Sequence, residues 1–399
     1  MKILMLTPYL PYPLSSGGQI RSYNLLKNLS SKHEITLVAL IKHDTEKKYI
    51  SNLAEYCHKI LPAKRPEKPW TVANILKTGL GLYPFLVVRN YSPEAKDIVI
   101  EELKKETYDL IHAETFYVMP HIPQTVTPVL LVEQTIEYLV YLHFTDTIKN
   151  LLLRLLLRLD VNKIRYWEEY YWKKAERVVA MSEADKKVMQ ARDKKLDVSI
   201  VPNGVDKDFF TFKPKVNRQA PIILFVGNFK WLQNREAVTI LVNKIWPRLS
   251  RQLPQAKLWI VGKFPSAEIL AYGNERVKVV SDMDDIRQVY HKADLMIAPI
   301  YGPGGTRYKI LEAMATGVPV VTTPQGIEGL GVKDQAHALI RSEPEDMVSA
   351  ALKLIHNPDL YAKMAQSANE FVRKRYNWER IAQALDEIYQ QVARHEHKA

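Results

Sequence analysis

The chain has 399 residues, more than one hydrophobic core usually accommodates, so two domains are expected. With 47% hydrophobic and 25% charged residues it has an ordinary globular composition, and its single cysteine, Cys57, excludes an internal disulfide framework and fits a reducing cytoplasm. A formal charge of +12 implies an anionic partner, whether membrane surface, nucleic acid or phosphorylated substrate. No zinc spacing, RNA-binding aromatic signature or helix-turn-helix pattern favours nucleic acid, so none is expected.

The opening MKILMLTPYLPYP, interrupted by prolines, reads as a first β-strand and not as a signal peptide. Short apolar runs then alternate with amphipathic helical stretches, the pattern of β-α-β units and parallel sheets. In chain order the expected strands are KILMLTPY, EITLVALI, LIHAET, PVLLVEQT, RVVAMS and VSIVPN, then IILFVGN, KLWIVGK, VKVVSD, DLMIAPI, VPVVTT and HALIR. Two sets of six predict an α/β protein of two Rossmann-like domains. Turn residues, charges and prolines in VPNGVDKDFFTFKPKVNRQAP mark the junction. The expected divisions are residues 1–205, a linker at 206–221, a second domain at 222–376, and a C-terminal helix at 377–399 that packs back on the first domain. That helix carries Trp378, Ile381, Leu385, Ile388 and Tyr389 along one side.

The longest apolar run, LLLRLLLRL at 151–159, is short of the roughly 18–20 residues that span a bilayer and contains Arg154 and Arg158. Two readings fit the stretch around it. Lys149, Arg154, Arg158, Lys163, Arg165, Trp167 and Trp172 lie against anionic lipid, or the leucines form core.

Glycines cluster beyond two strands: Gly17-Gly18, followed by Arg21, and Gly304-Gly305 in GPGGTRYKILEAMATGVPVV. Ligands of open α/β sheets bind at such carboxyl ends. The second stretch predicts a helix from Thr306 to Thr316, a C-terminal Gly317 and a strand. Gly304, Gly305 and Thr306 then sit where a helix has unpaired N–H groups, and Arg307 and Lys309 add charge beside this anion site. The plain alternative is a capped helix on which Lys309 and Glu312 form an exposed ion pair.

These pieces, with DLIHAE, ERVVAMSEAD, VPNGVD, LFVGNFKWLQN, PQAKLWIVGK and GIEGL, resemble the retaining GT-B glycosyltransferases of the group-1, or family 4, type over almost the whole chain. The similarity looks closest to bacterial members that build surface polysaccharide or cell-envelope glycans. The resemblance implies two Rossmann-like domains facing across a cleft, a UDP-, GDP- or other nucleotide-diphosphate sugar donor, and a glycan or lipid-linked acceptor. It also implies a hexosyltransferase-like reaction in the cytoplasm or on the inner face of the plasma membrane. Glu312, in LEAM, would take the ribose hydroxyls, a role in which a carboxylate accepts both protons of a vicinal diol. Gly304, Gly305 and Thr306 would face the diphosphate or donor sugar, with Gly17, Gly18 and Arg21 approaching the leaving diphosphate. His112, Glu114 and Arg307 are the catalytic candidates, and Glu133 and Glu137 the acceptor-side ones.

Two departures stand out. Gly304 occupies the place of a glutamate that contacts donor-sugar hydroxyls in many members, and Asn228 and Gln233 replace the usual Arg and Lys after the second domain's first strand. Lys230, Lys263 or Arg307 is then needed to neutralise the diphosphate. No Asp-x-Asp motif is placed to hold a metal, so a metal-free, front-face transfer with retention is expected. A non-catalytic sugar-nucleotide-binding protein and a GT-B nucleotide-sugar epimerase are the alternatives.

Overall fold

A computed structural model describes residues 1–214, 219–281, 283, 285–303 and 307–395. They form two compact units, one of Met1–Asn203 with the last helix, the other of Gly204–Pro303 and Arg307–Asn377. Gly304, Gly305 and Thr306 lie outside the described residues.

Unit one holds a parallel sheet of β1 (Lys2–Thr7), β2 (Glu34–Ile41), β3 (Lys59–Lys64), β4 (Leu110–Glu114), β5 (Val129–Glu133), β6 (Arg177–Ala180) and β7 (Val198–Ile200), ordered β3-β2-β1-β4-β5-β6-β7. Six of these are the expected strands. The seventh, β3, was not expected because KILPAK is no apolar run. As the edge strand it is mostly half-buried, and Pro62 is tolerated because an edge leaves one row of N–H groups unpaired. The interior strands are apolar on both faces, as helices on both sides of a parallel sheet require; β2 is buried at every position after Glu34.

Its helices are α1 (Gly17–Leu29), α2 (Val72–Leu80), α3 (Phe85–Asn90), α4 (Pro93–Lys105), α5 (Glu137–Asp146), α6 (Leu151–Lys174) and α7 (Glu183–Arg192). Unit two has β8 (Ile222–Val226), β9 (Lys257–Val261), β10 (Val277–Val280), β11 (Leu295–Ala298), β12 (Val320–Thr322) and β13 (Leu339–Ile340), parallel and ordered β10-β9-β8-β11-β12-β13. Its helices are α8 (Leu232–Ile240), α9 (Trp246–Gln252), α10 (Ala267–Leu270), α11 (Arg287–Lys292), α12 (Tyr308–Thr316), α13 (Pro344–His356) and α14 (Pro358–Arg375). Gly317 closes α12 in the left-handed conformation, φ 84°, where a side chain would also meet the Phe212 ring.

The last helix, α15 (Trp378–His395), belongs to unit one and packs on α1 and β4. Its stripe of Trp378, Ile381, Leu385, Ile388 and Tyr389 is buried. Asp386 fixes its register, bonding Lys32 at 2.8 Å and His33 at 3.0 Å.

Both sheets reverse strand order beside their first strand, in unit one between β1 and β4 and in unit two between β8 and β11. The chain leaves such neighbouring strands in opposite directions and opens a crevice at their carboxyl ends. Gly17, Gly18, His112 and Glu114 follow or end strands at the first reversal, and Asn228, Lys230, Gly302 and Arg307 follow strands at the second. Cavities of about 410 and 430 Å³ lie elsewhere, lined by Ser30–Glu34 with Glu55–His58 and by Lys257, Trp259 and Gly273–Val279.

Candidate functional site

In unit two the helix α12 begins at Tyr308, with Arg307 at its N-cap. Arg307 is buried, and its Nη2 donates to the Gly302 carbonyl at 2.8 Å, so the guanidinium braces the loop after β11. Lys309 and Glu312 are half-buried but do not pair with each other as the plain reading of this helix had it. Lys309 Nζ donates to Asn234 Oδ1 at 2.6 Å and lies 4.3 Å from the centre of the Phe225 ring. Glu312 Oε2 accepts from the Tyr290 hydroxyl at 2.6 Å. Burial, then the neighbouring Arg307 charge, pushes the Lys309 ammonium down to about 7, and burial raises the Glu312 carboxyl. Burial thus disfavours the charged form of each group, with little compensation from the other.

Asn234 joins this helix to the loop after β8. Its Nδ2 donates to the Asn228 carbonyl at 2.8 Å while its Oδ1 receives Lys309. Asn228 folds back to accept from the Lys230 backbone at 3.1 Å, and Arg235 reaches the carbonyls of Phe229 and Lys230. The exposed Lys230 ammonium lies 3.4 Å from the centre of the Phe264 ring. Lys309, 75 positions further along than Asn234, thus adds a cation beside the loop that lacks the expected Arg and Lys.

In unit one the residues at the sheet reversal form a buried polar network. Glu114 is fully buried, with Gln134 Nε2 at 2.5 Å and His112 Nε2 at 3.1 Å. Burial alone would raise its carboxyl, but the His112 hydrogen bond, the charges of His112 and Arg21 and the Gln134 amide hold it below the usual range. A carboxylate at Glu114 makes His112 Nε2 the donor, and its Nδ1 meets the Tyr389 hydroxyl of α15 at 2.5 Å. Both nitrogens of His112 are thereby used, and its side chain is wholly enclosed.

Arg21 is also enclosed. Its Nη1 bonds the Pro202 carbonyl at 2.9 Å and Asn203 at 3.0 Å, and its Nε lies 3.9 Å from Glu114. Gly18 has no unusual backbone angle and needs none; the constraint is close approach, since a Cβ there would lie 2.3 Å from Tyr9 Oη and 2.7 Å from Gln134 Oε1. Gly17 starts α1, whose N-cap Ser16 accepts from the Gln19 backbone.

Glu133 is turned inward, accepting from Trp172 Nε1 at 3.0 Å and the Phe116 backbone at 3.4 Å. Trp172, read in the sequence as a lipid-facing residue, is 1% exposed for this reason. Glu168 caps α5 through the backbone N–H groups of Glu137 and Tyr138. Glu137 remains half-buried, and burial moves its carboxyl up to about 7 despite the Arg89 charge. Among the described residues no three His, Cys, Asp or Glu side chains converge as a metal-holding set. Gln134, Asn234, Tyr290 and Tyr389 escaped the sequence reading because each acts on a partner distant in the chain.

Doubly wound parallel sheets bind their ligands at the carboxyl ends of the strands beside the strand-order reversal, where each unit here carries polar groups. Residues 15–209 match the family described as Glycosyltransferase Family 4, and residues 220–357 the Glycosyl transferases group 1. The chain is therefore a glycosyltransferase-family protein of the GT-B fold. It is 24% identical over 207 residues to the phosphatidyl-myo-inositol mannosyltransferase of Mycobacterium leprae, spanning 49% of this chain and about half, 54%, of that relative. In fold it is similar to sucrose-phosphate synthase of Thermosynechococcus elongatus, with a TM-score of 0.71 and 18% identity over 98% of each chain. It is likewise similar to Anabaena HepE in complex with UDP and glucose, with a TM-score of 0.66 and 18% identity over 98% of this chain and 100% of that one.

Proposed function

We propose that the protein moves a sugar from a nucleotide-diphosphate sugar to a glycan or lipid-linked acceptor with retention of configuration, in cell-envelope or surface-polysaccharide synthesis. The observation that carries this is the placement of Glu312 and Lys309 at the β8/β11 reversal, an acidic and a basic side chain one helical turn apart, each with its own neutral support. Tyr290 holds the Glu312 carboxylate while both its oxygens retain lone pairs for the ribose diol. Lys309 meets the diphosphate beside the loop that Arg307 braces. The UDP complex of HepE supports a nucleotide donor, and the name of the mycobacterial relative supports a lipid-borne acceptor.

The acceptor oxygen attacks the anomeric carbon on the face the diphosphate leaves, the bond from that carbon to the phosphate oxygen breaks, and this oxygen takes the acceptor's proton. Fixed cations and helix N–H groups stabilise the charge that develops on it, without a metal ion. In unit one the half-buried Glu137 serves the acceptor side. A thermal-shift screen of nucleotide sugars identifies the donor, after which calorimetry compares Glu312→Ala with wild type. Loss of hydrogen bonds to a charged group should weaken binding by about 1.5–3 kcal/mol, roughly 10- to 150-fold. Unchanged affinity in the folded variant removes the ribose role.

A further inference from the structure

Helix α2 is apolar on the side turned to solvent. Val72, Ile75, Leu76 and Leu80 recur at the spacing of one helical face and are all more than half exposed, Leu80 at 88%; Leu82 continues the ridge at 80%. The amino half of α6 repeats the pattern, with Leu151, Leu152, Leu155, Leu156 and Leu159 each more than half exposed. Its carboxyl half is different, for there Val161, Ile164, Tyr171 and Trp172 enter the core. The two exposed ridges are tied together. Lys163 Nζ donates to the carbonyls of Thr78 and Gly81 at 2.6 and 2.7 Å, Trp167 Nε1 donates to the Leu82 carbonyl at 3.0 Å, and the Tyr83 ring stacks on Trp167 at 4.3 Å.

Two exposed apolar ridges on helices tied to each other mark an interaction site. Cations accompany them: Lys77 on α2, Lys149 just before α6, and Arg154 and Arg165 along it, with Arg158 paired to Asp146. A second copy docked face to face would set these cations against one another, whereas acidic headgroups above a hydrocarbon layer satisfy both features. We propose that α2 and the amino half of α6 form a two-helix platform that inserts its leucines at the interface of an anionic lipid bilayer. The proposal deepens the lipid-acceptor part of the proposed function, yet it does not depend on the transfer reaction.

The test is co-sedimentation of the full chain with phosphatidylcholine vesicles, with and without phosphatidylglycerol. Wild type should partition to the anionic vesicles, and each of the pairs Leu80→Ser with Leu82→Ser and Leu152→Ser with Leu156→Ser should lower that partition about tenfold or more. Arg154→Gln with Arg165→Gln should weaken binding only where phosphatidylglycerol is present, and high salt should reproduce that loss without removing the leucine contribution. Nucleotide affinity, measured on the same samples, should stay unchanged, which separates failure of the platform from failure of the transferase reading. Leucine variants that sediment like wild type overturn the proposal. So does a wild-type dimer that ignores vesicles and that the leucine variants convert to monomer.

Discussion

Lys309 offers the sharpest test of the nucleotide site, because its ammonium is held at about 7 by burial and by Arg307, against about 10.4 for a free lysine. A diphosphate oxygen about 4 Å away would favour the charged form by up to roughly 4 kcal/mol per unit charge at an effective dielectric near 20. That is about three pK units, enough to restore an ordinary lysine value in the complex. The complex then has the higher pKa, so the ammonium's contribution to binding is complete below about pH 7. It is lost as pH rises from there to the pKa of the complex, by as much as about tenfold per unit. Calorimetry with the nucleoside diphosphate across pH 7 to 9, above the phosphate's own ionisation near pH 6, should show falling affinity. Repeated in buffers of different ionisation enthalpy, it should show uptake of up to one proton. Lys309→Arg, charged throughout, should flatten the profile. Lys309→Gln should weaken binding about 10- to 150-fold at pH 7 and also remove the slope. The same depressed pKa costs stability at every pH below the ordinary lysine value, so Lys309→Gln should melt no lower than wild type. A pH-independent affinity in wild type, or an equal slope in Lys309→Gln, would refute the assignment of the diphosphate to this side chain.

Three further outcomes are expected. Gly18→Val should lower stability by about 1–3 kcal/mol through overpacking, read by denaturant titration, because its Cβ would fall 2.3 Å from Tyr9 Oη; an unchanged midpoint would show that the glycine contact is not tight. Transfer should persist in EDTA, and Arg307→Ala should reduce initial rate by on the order of tenfold or more as the loop it braces loosens. Activity abolished by chelation and recovered with manganese would overturn the metal-free mechanism.

The class of fold was legible in the chain, since parallel strands covered on both faces must be apolar throughout, and twelve such runs stand between amphipathic stretches. The one missed strand, β3, is an edge whose proline and terminal lysines erase that signal. The helix within GPGGTRYKILEAMATGVPVV and its end at Gly317 were equally visible, because a left-handed glycine closing a helix is a local requirement of backbone geometry. Sequence could not show the partners. Lys309 looked like the i,i+3 mate of Glu312, yet it reaches Asn234 on another helix while Tyr290 takes the glutamate. His112 looked available for catalysis, and only the return of α15 to unit one places Tyr389 on its second nitrogen. The leucines at 151–159 fitted core or lipid equally well until packing left them outside. Periodicity records which face of an element is apolar, whereas the choice among charged partners depends on rotamers and on neighbours that the chain brings together only on folding.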